Sequence, residues 1–133
     1  MNNQRFIIST IAVFAFITAY EYVVHGHLMT QMYMETPQLW RTDEAMQALM
    51  PWSLGIGLAL SAAITYLFSR NYEGKGTQEG MRFGFYVGLV MGLVQMGAYT
   101  YLPISLNLAW AWLAIYVIEG IGAGLVLSYT YKK

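Results

Sequence analysis

Residues 106–131 read LNLAWAWLAIYVIEGIGAGLVLSYTY and contain one charged side chain, Glu119. A helix of about 20 apolar residues crosses the hydrocarbon core of a bilayer, and this run exceeds that length. Inside hydrocarbon the backbone N–H and C=O groups find no partner but each other, so such a segment must be helical. Working outward, three more runs share this character, at about 6–28, 52–69 and 83–102. The sequence predicts an all-α protein, an integral membrane four-helix bundle built as one domain over residues 1–133.

Composition points the same way. Hydrophobic residues form 57% of the chain and charged residues 11%. A soluble domain carries roughly a quarter charged residues, so the polar surface of a water-facing globule is missing. The net charge is zero, which gives no pull toward nucleic acid. There is no cysteine, which removes disulfides, thiolate metal sites and thiol catalysis. No serine or threonine has an evident His-Asp partner. A non-enzymatic protein without a cofactor is expected. Only Arg5 precedes the first apolar run, which continues into Tyr20, Glu21 and Tyr22 rather than a small-residue cleavage site. It is read as a retained span rather than a signal peptide.

Cytoplasmic flanks are rich in Lys and Arg. With alternating spans, Arg5, Arg70, Lys75, Arg82, Lys132 and Lys133 fall on one side and Arg41 alone on the other. Both termini and the middle loop are therefore expected in the cytoplasm, with the chain in a cell inner membrane. Trp40, Trp52, Trp110 and Trp112 then fall toward the outer interface, and Tyr72, Tyr129 and Tyr131 toward the inner one, where amphipathic rings suit the headgroup layer.

The outer loop, 29–50, is the longest. Thr36 and Pro37 suit a helix start, and Met46, Leu49 and Met50 recur at helical spacing beside Asp43, Glu44 and Gln47. A short amphipathic surface helix is expected, against an irregular packed loop. The outer methionines offer thioethers to copper(I), but flexible gap-filling is their commoner use. Arg5-Phe6 with Ala19-Tyr20-Glu21-Tyr22 parallels Arg82-Phe83 with Ala98-Tyr99-Thr100-Tyr101, and Gly55-Ile56-Gly57 parallels Gly120-Ile121-Gly122. These pairs suggest two pseudo-repeated helical hairpins, against chance similarity of apolar helices.

Gly76, Gly80, Gly84, Gly88 and Gly92 recur every four residues, Gly120 and Gly124 form a second pair, and Ser53, Gly57 and Ser61 a weaker ridge. Small residues at this spacing let helix backbones approach closely in lipid. They serve either packing within one chain or a seam with a second copy or a larger membrane complex.

A carboxylate inside a span is a functional candidate by default. Glu21 and Glu119 qualify. Thirteen residues from the basic flanks Arg5, Arg70, Arg82 and Lys132 lie Thr18, Gly57, Gln95 and Glu119, each roughly 20 Å along its helix. Thr18, Gln95 and Glu119 are expected in one layer, with Gly57 leaving room. His25 follows Glu21 at i+4 and Thr18 precedes it at i−3, so the three share a face. His27 points elsewhere. This polar stripe reads as a register-fixing network, as a site for a small solute or proton, or as a metal site. Glu21 and His25 supply only two ligands, which disfavours metal.

The stretch from Glu21 to Arg41, with His25-Gly26, Tyr33, Thr36-Pro37 and Leu39-Trp40-Arg41, resembles an uncharacterised family of small bacterial four-span membrane proteins. So does Tyr72-Glu73-Gly74-Lys75-Gly76 followed by Glu79-Gly80-Met81-Arg82-Phe83-Gly84. The resemblance implies fold and bacterial origin, and no activity. It directs attention to Glu21, His25, Trp40, Arg41 and Glu119. The function expected is a membrane protein assembling through its glycine faces around a polar solute or proton site. The alternative is an accessory subunit of a larger complex.

Overall fold

The computed structural model describes residues 2–132; Lys133, counted above among the basic residues, lies outside them. Helix α1 (Asn3–Val23) continues through a wider π-helical turn, Val24–Leu28. The long connection holds α2 (Thr30–Met34), a 3-10 turn at Pro37–Leu39 and α3 (Asp43–Ala48). Then come α4 (Met50–Arg70), α5 (Thr77–Met96) with a 3-10 turn at Gly97–Thr100, and α6 (Leu106–Thr130). Asn3–Leu28, Met50–Arg70, Thr77–Thr100 and Leu106–Thr130 are each long and apolar enough to cross a membrane, the make-up of a multi-pass membrane protein. Large side chains such as Ile7, Val90, Val94 and Ile118 stand exposed along these helices. In water that would be an aggregation liability; against lipid tails it is an ordinary match.

Helix starts follow local chemistry. Ser105 accepts the Leu108 amide to open α6, and Asn2 accepts that of Arg5 to open α1. Such caps contribute about 1 kcal/mol each. In the long connection the helix start expected at Thr36-Pro37 is only the 3-10 turn, and the Thr36 side chain makes no cap bond. The helix itself begins later, at Asp43, where Thr42 accepts the Ala45 amide and Asp43 and Glu44 fill the first turn. Carboxylates there favour the positive helix end.

The most extensive helix contact joins α5 to α6, and glycine permits it. Gly80, Gly84, Gly88 and Gly92 are buried on α5, as are Gly120 and Gly124 on α6. A Cβ on Gly84 would overlap the Gly120 carbonyl, and one on Gly80 the Gly124 carbonyl. The two backbones touch directly. Helix α1 packs on α6 and on α4, so the helices run α5, α6, α1, α4. On α4 only Ser61, Ile64, Thr65 and Phe68 are buried. Of the weaker ridge, Ser53 is exposed and Gly57 rests on the Phe14 ring. The proposed repeat has unequal surroundings: Gly55 faces open space, whereas Gly120 presses on Gly84 and Gly88.

One core cluster, with Val13, Ile64, Phe68, Leu127 and Tyr131, gathers the α4–α5 end of the molecule. Tyr131 is thus core rather than interface, stacked edge-on against Phe68 and Tyr72. The turn into α5 needs positive φ at Gly74 and Gly76, which glycine adopts at no steric cost. Buried Glu79 closes this turn by accepting the amides of Glu73 at 2.6 Å and Lys75 at 2.8 Å. The Lys75 ammonium and Arg82 guanidinium hold the exposed Glu73 carboxyl below its ordinary range. A second cluster, with Val24, Met29, Leu108 and Trp112, lies toward the long connection.

Candidate functional site

Two helix faces build the site. On α6, Trp112, Tyr116 and Glu119 follow at i, i+4 and i+7 and so share one face. Glu21 at the end of α1 and His25 in the turn after it line the cavity just where the helix widens. There the Met29 amide donates to the Val24 carbonyl at 2.9 Å, five residues back. Such π turns recur at functional sites. Between these faces and the long connection lies a cavity of about 630 Å³. Glu21, His25, Trp112 and Tyr116 line it from the spans, with Gln95 from α5. Tyr33, Trp40 and Met46 roof it, and Arg41 and Asp43 stand at its exposed edge.

The polar groups form a directed chain. The Trp112 indole N–H donates to the Tyr33 hydroxyl at 2.9 Å. That hydroxyl lies 2.5 Å from His25 Nδ1 and 3.7 Å from the Met29 sulfur. A thioether is a weak acceptor, so the imidazole is the stronger of these two contacts. The other ring nitrogen of His25, Nε2, is 3.3 Å from Glu21 Oε2. The contact is ion-pair close but off the line of a good hydrogen bond, since Nε2 has no aligned partner. Burial pushes the Tyr33 hydroxyl above its ordinary value; the Trp112 bond opposes this and the Glu21 charge adds to it.

One turn beyond Tyr116 on α6 sits Glu119, buried at 5% exposure and within electrostatic range of Glu21. Its Oε1 has no partner. An unmatched acceptor in a dry place is costly and is free to receive a ligand or a proton. Tyr20 stitches α1 to α6 beside this pair, donating to the Ile115 carbonyl at 2.8 Å.

The aromatic rings form a second chain. Tyr116 and His25 lie 6.3 Å apart, His25 and Tyr33 5.9 Å, Tyr33 and Trp40 5.1 Å, and Trp40 and Trp112 6.5 Å. The last two pairs meet edge to face, at 71° and 79°, so in each the edge of one ring packs toward the face of the next.

Of the residues expected from sequence, Glu21, His25, Gln95, Trp40 and Arg41 line this cavity and Glu119 lies behind it. Thr18 is exposed and does not reach the lining. His27 is exposed against Tyr22. Among the described residues no group of three or more His, Cys, Asp or Glu is disposed around one metal ion. Sequence reasoning missed Tyr33, Trp112 and Tyr116. Trp112, taken for an interface ring, is 3% exposed; the exposed Trp52 and Trp110 lie apart from the site. The signal was the spacing of Trp112 and Tyr116 against Glu119. No protein-family model, curated protein or solved structure matches this chain, so the chemistry of the cavity alone bears on function.

Proposed function

We propose that this chain is an inner-membrane protein whose cavity admits a small solute or proton, with Glu21 and Glu119 as the titrating groups. Both termini and the Tyr72–Gly80 turn face the cytoplasm, and the cavity opens outward beneath the long connection. The glycine faces serve to assemble α5 on α6. One observation carries this reading: a buried carboxyl oxygen of Glu119 lacks a partner directly behind the Glu21 wall of a cavity. Like charges near one another disfavour joint ionisation, which is the basis for assigning proton exchange to this pair. An accessory-subunit role has its own support in the groove of about 560 Å³ between α4 and α5, which do not pack extensively on each other.

The purified protein, reconstituted alone in liposomes with a trapped pH dye, is expected to dissipate an imposed proton gradient. Glu119→Gln, nearly the same in shape, should abolish the flux while keeping the fold. Thr18→Val should leave it unchanged. Flux that survives Glu119→Gln removes the carboxyl pair from the mechanism. Absence of flux in the wild type, with co-purifying membrane partners, favours the accessory role.

A further inference from the structure

Resting on the solute-site reading, we propose that the cavity binds a small organic ammonium cation, its head boxed by the rings of His25, Tyr33, Trp40, Trp112 and Tyr116 with the Glu21 carboxylate as counter-ion. The polar edges of the central rings are already spent on one another. The Trp40 indole N–H donates to the Tyr33 carbonyl at 2.8 Å, that of Trp112 donates to the Tyr33 hydroxyl, and that hydroxyl is hydrogen-bonded to His25. What these residues have left to offer a ligand is π surface. The ring faces that line the cavity rather than a neighbour, each negative, suit a cation bearing methyl groups on several sides. Gln95 and Arg41 add polar groups to the lining away from these rings.

Charge agrees with shape. Glu21 lines the cavity and Glu119, its buried oxygen unpartnered, backs it. Arg41 stands with Asp43 at the exposed edge, where the opposite signs offset each other. The deep end is left acidic. The volume of about 630 Å³ falls in the range of small-molecule sites, large enough for a trimethylammonium head and a short tail.

The test is calorimetric titration of the purified protein in nanodiscs with choline chloride and with its uncharged isostere, in which a tert-butyl group replaces the trimethylammonium head. Choline should bind at least roughly tenfold more tightly, since a desolvated cation–π contact is worth that much. Glu21→Gln should weaken choline by a similar factor and leave the isostere unchanged; Trp40→Leu should weaken choline further. Equal binding of the two compounds overturns the proposal, because shape alone then decides. So does choline binding that is indifferent to Glu21→Gln. No choline binding together with proton flux abolished by Glu119→Gln overturns the cation and leaves the carboxyl site standing. Absence of both removes the two readings together.

Discussion

Two polar side chains and one sulfur converge on the Tyr33 hydroxyl, which makes it the knot between the connection and the spans. It accepts from Trp112 of α6 and is hydrogen-bonded to His25 in the turn after α1, while the Tyr33 carbonyl receives Trp40. Tyr33→Phe removes the hydroxyl and keeps the ring, leaving the buried Trp112 N–H without an acceptor. A buried unsatisfied donor costs about 1–3 kcal/mol. Thermal unfolding in detergent is expected to show that loss, whereas His25→Phe should cost less because Trp112 keeps its partner. Sequence exposed half of this arrangement. Glu21, His25 and Glu119 stood out because ionisable residues are rare in apolar runs. Tyr33, Trp112 and Tyr116 did not, because aromatics are frequent in membrane interfaces and give no contrast in one dimension. The widened turn at Val24–Leu28 was also illegible, since it differs from an α-helix by the shift of a few hydrogen bonds.

At the level of elements, glycine has two fates. Gly84 presses on the Gly120 carbonyl and cannot take a Cβ without moving backbone, whereas Gly55 has nothing within reach. Gly84→Ala should therefore destabilise the protein by about 1–3 kcal/mol as overpacking. Gly55→Ala should be neutral or stabilising, because glycine inside a helix is worth about 1 kcal/mol less than alanine. Unfolding titrations of both variants check the contrast. The spacing of four told that some backbone approaches closely. It did not tell which helix supplies the partner, because Gly120 and Gly124 answer the ridge only once α5 and α6 lie antiparallel. Glu79 was likewise overlooked as a structural group. Its buried carboxylate is explained by the bare amides of the glycine-rich turn, a demand that comes from backbone geometry rather than from a residue pattern.

For the whole molecule, four membrane-length apolar helices were legible from hydropathy alone, because that property adds along the chain and needs no knowledge of contacts. Sidedness rests on the basic residues. Single cysteines placed at Lys75 and Lys132 are expected to react with an impermeant maleimide only after cells are opened, and one at Gln38 in intact cells. Labelling of Lys75 and Lys132 positions on opposite faces would dismantle the four-span arrangement. The way the helices are joined has one more consequence. No residue of α4 lines the cavity, and α4 leans chiefly on α1. Its C-terminal half is pinned as well, because Ile64 and Phe68 sit in the core with Leu127, Tyr131 and Phe83. Any force the surrounding membrane exerts on that rim therefore reaches the carboxyl pair second-hand, through α1 or through the packed ends of α5 and α6.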